Sequence, residues 1–300
     1  MVLVKKFLWA VPVAVASLVL AGCSTSGTGS RPVRATGELY PLSWVIEQVG
    51  GDRVSVDTLV PPGAEPHGYE LSPQQVSALG RNDLVVYVRT LAAAVDDGVK
   101  ASPPKAAIDL TTVLPTRPAV DGSTGTSGAG GIDPHLWLNP ANMPKIVDAV
   151  AAQLSSVDPA GRATYTANAA TLDSRLTALA DDYARGLAHC STKTLVVSHP
   201  AFGYLADQYG LTQVGASGVD EDTEPSPARL VEVEKIARAD KVTTIFYADT
   251  SNQKIADVIA GALNARTASL TQLISQPSGG DYISGAQQNL TALRTGLGCS

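Results

Sequence analysis

The feature that most constrains the fold of this chain is a long apolar stripe in its second half. Large apolar side chains recur there at spacings of three, four and seven, the repeat of one helix face. They are Tyr165, Leu172, Leu176, Leu179, Tyr183 and Leu187. A helix over residues 158–189 would be roughly 45 Å long, more than one small domain requires. The stripe therefore predicts a rigid helix linking two folded units, with Asp158 and Pro159 as its N-cap and first residue.

Short apolar runs alternate with helix-like stretches on both sides of this helix. The alternation begins near Val33 and resumes at 194–197. It is typical of βαβ units with parallel sheets. The 278 residues from Cys23 onward fit two domains or one large one. We therefore expect an α/β fold with an N-terminal unit at 33–157 and a C-terminal unit at 190–300.

The chain opens with the composition of an export signal, which we assign to residues 1–22. Two lysines precede an apolar stretch at 7–20, and this stretch is shorter than the roughly 20 residues of a membrane-spanning helix. Cys23 directly follows Leu-Ala-Gly, as in a bacterial lipobox, so we expect a lipoprotein signal peptide and lipidation of Cys23. Residues 23–32, rich in Ser, Thr and Gly, then form a flexible tether.

The charge balance excludes some partners. The full chain carries a formal charge of -6, and removal of the two leader lysines leaves -8. Nothing in this overall balance favours nucleic acid or an anionic membrane surface as a partner. We therefore expect no nucleic-acid partner and contact with the membrane through the lipid anchor only.

Two cysteines remain if Cys23 is lipidated. Cys190 and Cys299 then belong to an exported chain, where oxidising conditions favour a disulfide. Such a bond would join the start of the C-terminal unit to the end of the chain. The alternative is a pair of buried free thiols.

One segment lacks the side chains that a core needs. Residues 115–132 are dominated by Gly, Ser and Thr, most densely at 121–131. The composition predicts an exposed, mobile loop over this segment.

Three of the four histidines in the chain share a local setting. His67, His135 and His199 are each next to a proline, in a rigid loop or directly after an apolar strand. Ligands of open α/β sheets bind at the carboxyl ends of strands, and imidazole is a preferred ligand of zinc. The three histidines are therefore candidate ligands of one zinc ion. We leave His189 out of the site. It lies beside Cys190 at the end of the long helix, where a positively charged side chain is stabilised by the negative end of the helix dipole.

A tetrahedral zinc site needs a fourth ligand. Asp249 directly follows an apolar strand at 243–248 and is our choice. The acidic loop at 220–224 competes with it, and water is a further alternative.

Several segments carry a family resemblance. LVPPGAEPHGYE at 59–70, DPHLWLNP at 133–140 and SHPAFGYL at 198–205 resemble the signature segments of zinc/manganese solute-binding proteins of ABC transporters. EPSP at 224–227 resembles a fourth segment, and the similarity extends in order over about 35–299. The chain is identified on these motifs as a member of that family, zinc-type.

The resemblance implies a fold, a ligand set and partners. It implies two α/β lobes, each with a parallel sheet flanked by helices, joined by one long rigid helix, with Zn²⁺ in the cleft between them. It assigns the role of metal ligand to His67, His135 and His199. A histidine at the third of these positions, His199, favours zinc over Mn²⁺. The implied partners are an ABC permease and its ATPase, which receive the ion from a monomer held at the outer or periplasmic face of the cell membrane.

The chain departs from the family pattern in two places. Zinc-type relatives often carry a His-rich loop before the Asp-Pro-His segment, whereas no histidine lies between His67 and His135. Alignment of the following helix also places Ala248 where many relatives have Glu, with Asp249 one residue later. The first departure argues against metal scavenging by this loop, and the second leaves the fourth ligand open between Asp249, the acidic loop and water.

Two other functions are compatible with a three-histidine site. A secreted zinc hydrolase also holds its metal with three protein ligands, but the chain has no His-Glu-x-x-His motif and no evident general base. An adhesin-like surface lipoprotein with a structural metal is the second alternative. We therefore expect a binding protein and not an enzyme.

Overall fold

The computed structural model describes residues 1–3, 31–120, 127–217, 225–248 and 253–300. Most of the expected export signal, Cys23, Asp249 and the acidic loop at 220–224 lie outside these ranges. Residues 32–300 form one compact unit. Among the helices within the described ranges, none is long and apolar enough to cross a bilayer.

The first half of this unit contains a four-stranded parallel sheet. Its strands are β1 (Val33–Gly37), β2 (Val54–Thr58), β3 (Leu84–Tyr87) and β4 (Ala107–Asp109). They run in the order β2-β1-β3-β4. The accompanying helices are α1 (Tyr40–Gly50), α2 (Pro73–Leu79), α3 (Ala93–Ala101), α4 (Leu110–Val113) and α5 (Met143–Val157). The central strand β3 is covered on both faces, as is typical of parallel strands, because its consecutive residues Leu84, Val85 and Val86 are fully buried.

The Gly/Ser-rich segment differs from its prediction. Its ends form two strands, β5 (Pro118–Val120) and β6 (Ser127–Ile132), which pair antiparallel, while residues 121–126 lie outside the described ranges. The loop prediction was therefore wrong at both ends of the segment. Backbone N–H and C=O groups pair without help from side chains, so a glycine-rich strand forms where a neighbouring strand is present.

The predicted linking helix is present as α6 (Arg162–Gly186), a helix of 25 residues. A 3₁₀ turn (Pro159–Gly161) precedes it, and all six residues of the apolar stripe are buried. The helix packs against α1 and α5 of the first half and against a helix of the second half. Asp158 does not cap it: its carboxylate instead accepts hydrogen bonds from Arg53 (2.7 Å) and from the Tyr165 hydroxyl (2.6 Å).

The second half contains another four-stranded parallel sheet. Its strands are β7 (Thr194–Val197), β8 (Thr212–Gly215), β9 (Thr244–Tyr247) and β10 (Arg266–Ser269). They run in the order β10-β9-β7-β8. The accompanying helices are α7 (Gly203–Tyr209), α8 (Pro227–Ala239), α9 (Gln253–Leu263) and α10 (Tyr282–Leu297). The expected α/β class with two parallel sheets and a long joining helix is thus confirmed.

One apolar core runs through both halves. The Trp137 indole donates to the Gln272 carbonyl at 2.8 Å, and the Tyr282 hydroxyl donates to the Trp137 carbonyl at 2.5 Å. Trp44 stacks on Tyr282 with ring centroids 5.3 Å apart. Buried aromatic contacts of this kind bury large areas and satisfy their polar atoms, so they hold the two sheets in a defined relation.

The predicted disulfide is also present. Cys190 and Cys299 are bonded across 109 residues of chain. The bond joins the end of α6 to the end of α10, and the backbone N–H of Ser300 donates to the His189 carbonyl at 3.0 Å beside it. The disulfide therefore ties the linking helix to the last helix of the second half.

Candidate metal centre

His67 comes from the loop that follows β2. The loop is braced by prolines and by a hydrogen bond from the His67 backbone N–H to Glu65 Oε1 at 3.0 Å. His67 Nε2 is buried and has no hydrogen-bond partner. A buried nitrogen left without a partner costs free energy unless something else binds it. Its position fits a metal ligand.

His135 follows β6 and is fully buried. Its Nδ1 lies 2.8 Å from Asp133 Oδ1, and its backbone N–H donates to the same oxygen at 3.1 Å. Because a carboxylate only accepts hydrogen bonds, Nδ1 carries the proton. The tautomer leaves the Nε2 lone pair of His135 free to bind a metal.

His199 comes from the second sheet, two residues after β7, and is fully buried. Its Nε2 lies 3.2 Å from His135 Nε2. Two imidazole nitrogens on one tetrahedral zinc ion lie about 3.3 Å apart, because each Zn–N distance is roughly 2.0–2.1 Å. The separation therefore matches that of two ligands of the same ion.

The three histidines form one cluster. Their ligand atoms all lie within 4.8 Å of one another, and the ring of His67 is 5.2 Å from that of His135 and 5.8 Å from that of His199. Within the described residues, these three histidines are the group of potential metal ligands whose ligand atoms lie this close together. His189 does not belong to the group.

The surroundings keep the imidazole of His67 neutral. Burial, helped by the nearby His135, lowers the pKa of His67 to about 3. A neutral imidazole is the form that binds a metal ion. The cluster is thus ready to bind zinc without first losing a proton from His67.

The carboxyl ends of β7 and β9 bear on the choice of a fourth ligand. β7 and β9 are parallel neighbours, with Val197 paired to Phe246. Ala248, the last residue described before Asp249, therefore follows its strand at the same sheet edge as His199. The choice of Asp249 stays a prediction, as does the competing acidic loop.

A cavity of about 810 Å³ opens beside these elements. Glu65 and Ala248 line it, together with polar residues of the second half that include Gln272, Ser275 and Asn289. The cavity gives solvent a route to the loop that carries His67.

Sequence reasoning did not identify the residues that orient His135. Asp133 was seen only as part of the Asp-Pro-His motif, although its position two residues before His135 is a local signal. Arg117 donates from Nη1 to Asp133 Oδ2 at 2.9 Å and has no sequence signal, because 16 residues separate the two. Outer-shell partners of this kind orient ligands.

Comparisons with known proteins bear on the site. Residues 38–296 match the family described as zinc-uptake complex component A, periplasmic (ZnuA). The chain is 32% identical over 294 residues to the zinc-binding lipoprotein AdcA of Streptococcus pneumoniae, covering 93% of this chain and 58% of AdcA. It is 29% identical over 316 residues to the high-affinity zinc uptake system protein ZnuA of Bacillus subtilis, covering 98% of both.

Solved structures agree with these relatives. The Zn(II)-bound ZnuA-like domain of Streptococcus pneumoniae AdcA is similar with a TM-score of 0.75 and 31% identity, over 89% of this chain and 99% of that one. The laminin-binding protein Lmb of Streptococcus agalactiae, described as having adhesin and metal-transporting activity, is similar with a TM-score of 0.78 and 30% identity, over 89% and 99%. The chain spans little more than half of full-length AdcA.

Proposed function

The chain belongs to the family of periplasmic A components of zinc-uptake complexes, and on that premise we propose that it binds one zinc ion outside the cytoplasm and delivers it to an ABC import permease. The zinc ion is the cargo of the protein. The observation that carries the proposal is the 3.2 Å separation of the Nε2 atoms of His135 and His199, next to the unpartnered Nε2 of His67.

The proposed ligand set explains how the ion is both held and released. His67 and His135 belong to the half with the first sheet, whereas His199 and Asp249 belong to the second. An ion bound by all of them bridges the halves, and any movement that separates the halves removes ligands from it. The permease and its ATPase are the proposed partners that exploit this movement.

The chemistry of the ligand set favours zinc. Three imidazole ligands suit zinc, whereas manganese prefers carboxylate and other oxygen ligands. The AdcA domain solved with Zn(II) has a similar fold, which supports the same cargo here. Manganese is the less favoured alternative.

Attachment to the membrane is part of the proposal. Cys23 follows Leu-Ala-Gly, and the similar AdcA is named a lipoprotein. We assign a lipid anchor to Cys23 and place the folded unit, as a monomer, on the outer or periplasmic side of the cell membrane. Loss of acyl labelling and of membrane association in Cys23→Ala would test the anchor.

The experiment that tests the function combines binding with transport. Purified protein, titrated with zinc against a competing chelator, is expected to bind one ion per chain with submicromolar affinity or better. Deletion of the gene is expected to slow zinc uptake and growth in chelated medium, and the intact gene to restore both. Tight binding with normal uptake in the deletion strain would contradict the transport role.

Adhesion is a second candidate because of the similarity to Lmb. A solid-phase assay with laminin, run with zinc-loaded and zinc-free protein, tests this second function, and absence of laminin binding in both forms would contradict it. We propose no catalytic activity, and turnover of a hydrolysable ester or peptide that depends on the three histidines would contradict this.

A further inference from the structure

Arg117 links the carboxylate behind His135 to the second half of the molecule. Its Nη1 donates to Asp133 Oδ2 at 2.9 Å. Its Nε donates to Asp207 Oδ2, also at 2.9 Å, and Asp207 belongs to α7, the helix that follows His199. A planar guanidinium can hold two carboxylates in fixed directions at the same time.

Tyr204, also on α7, strengthens this link. Its hydroxyl donates to the Asp133 backbone carbonyl at 2.7 Å and accepts the backbone N–H of Arg117 at 3.1 Å. The Arg117 guanidinium also lies 5.9 Å from the centre of the Tyr204 ring, within the range of a cation–π contact. Helix α7 of the second half therefore contacts both Arg117 and Asp133.

The start of α7 leaves room for the guanidinium. A Cβ atom on Gly203 would lie 1.5 Å from Arg117 Nη1 and 2.9 Å from Asp133 Oδ2. Only glycine permits this approach, because any side chain would displace the guanidinium from its position. Gly203 is thus a requirement of the Arg117–Asp133 contact.

These contacts fix the orientation of His135. The Asp133 side chain is 1% exposed, with Oδ1 bonded to His135 Nδ1 and Oδ2 to Arg117. Because both oxygens are engaged, the carboxylate cannot rotate without breaking a charge-assisted bond. The direction of the His135 Nε2 lone pair consequently depends on Arg117.

We propose that Arg117 is a positioning residue for the metal ion, acting through Asp133 and His135, and that its bond to Asp207 makes retention of the ion depend on contact between the two halves. The inference deepens the proposed function and rests on it. When the halves separate, Arg117 loses Asp207 and Tyr204, the support of Asp133 weakens, and His135 holds the ion less firmly.

Three variants of the full chain test the proposal. Arg117→Met removes the guanidinium and keeps an apolar stem, and we expect the zinc dissociation constant to rise about 10–100-fold, as for other outer-shell partners. Gly203→Ala displaces the same guanidinium without removing a charge and should weaken binding in the same direction. Asp207→Asn removes the charge that pairs with Arg117 across the halves and leaves the contacts of Asp133 and Tyr204 in place, and we expect zinc to dissociate about two- to fivefold faster.

Arg175→Met is the matched control. Arg175 also pairs with a carboxylate, that of Asp281 at 3.1 Å, but neither residue belongs to the contacts around His135. Its zinc affinity should stay within about twofold of the wild type, since exposed ion pairs contribute little.

Cobalt provides a readout that a purely structural role would not change. The visible absorption of bound Co²⁺ reports the ligand geometry, so Arg117→Met and Gly203→Ala should alter the spectrum and Arg175→Met should not. The Asp207 side chain is 62% exposed, so we expect Asp207→Asn to fold. This variant therefore tests the proposal even if Arg117→Met fails to fold.

The outcomes separate the two proposals. Wild-type affinity, zinc dissociation rate and cobalt spectrum in Arg117→Met and Asp207→Asn would overturn the positioning role while leaving the zinc-binding function intact. Failure of the wild-type protein itself to bind zinc would instead overturn the proposed function.

Discussion

The Nε2 atoms of His135 and His199 lie 3.2 Å apart, although 64 positions of sequence separate the two residues. His135 follows the β5–β6 pair, whereas His199 follows a strand of the second sheet. The distance matches that between two imidazole ligands of one tetrahedral zinc ion, about 3.3 Å. An ion at this point would be held by both halves of the molecule.

Loss of any one clustered histidine should weaken zinc binding strongly. For His67→Ala, His135→Ala and His199→Ala we expect each dissociation constant to rise by more than the roughly 10–100-fold typical of outer-shell changes, because a direct ligand is lost. Chelator competition measures the change. His189→Ala is the matched control, and an equal loss in that variant would contradict the assignment of the site.

The fourth ligand can be identified by a pair of substitutions. Asp249→Ala should lower zinc affinity, because a carboxylate contributes both charge and a direct bond. A variant that replaces all four acidic residues at 220–224 with Ala is the comparison. If this variant has the larger effect, the acidic loop supplies the ligand, and unchanged affinity in both variants favours water.

Zinc should stabilise the folded protein. At a free zinc concentration of 100 times the dissociation constant, binding adds about 2.7 kcal/mol to the free energy of unfolding. For a chain of this size the melting temperature should rise by about 5–10 °C. Calorimetry with zinc, and then with excess chelator, measures the shift. A similar rise in His199→Ala would mean that zinc binds elsewhere.

Glu38 should make stability depend on pH. Burial raises its pKa to about 8, with Asp96 and Asp109 adding repulsion, although Oε2 accepts the Val88 N–H at 2.7 Å. The folded state therefore keeps a proton that the unfolded chain releases near pH 4.5. Stability is fully present below that pH and falls as the pH rises towards 8, by on the order of 5 kcal/mol in total.

Glu38→Gln should remove most of this dependence. The variant carries no ionisable group at this position, so we expect it to match the wild type near pH 4.5 and to be more stable above pH 8. Urea unfolding of the zinc-free protein across this range measures the difference. Glu70→Gln, at an exposed position, is the control. Parallel pH profiles for wild type and Glu38→Gln would contradict the prediction.

The disulfide should contribute to stability and not to metal binding. Closing a loop of 109 residues is worth about 4–5 kcal/mol in the chain-entropy model. The double variant Cys190→Ser/Cys299→Ser should lose free energy of unfolding of this order in urea. Its zinc affinity should be unchanged, because the bond joins the ends of α6 and α10. A large loss of zinc affinity in a folded double variant would contradict this separation.

Local patterns predicted most elements well but missed two details. The apolar stripe from Tyr165 to Leu187 is buried as expected, because helix periodicity depends only on near neighbours in the chain. Asp158 has the residue type of a helix cap, yet its carboxylate is taken by Arg53 and Tyr165. The Gly/Ser segment has the composition of a loop, yet it pairs at 118–120 and 127–132. Both differences come from partners that composition does not reveal.

The sequence by itself determined the α/β class, the long joining helix, the disulfide candidates and the three histidines, since each depends on residue type, local spacing or a short motif. Only the tertiary structure decided that His67, His135 and His199 meet within 4.8 Å and that Arg117 stands behind Asp133. The histidine cluster joins the two halves, and it exists because a shared core packs the halves together. The Arg117–Asp133 contact joins two positions of the first half that are 16 residues apart. Contacts of this kind depend on how distant segments pack, which no local pattern contains.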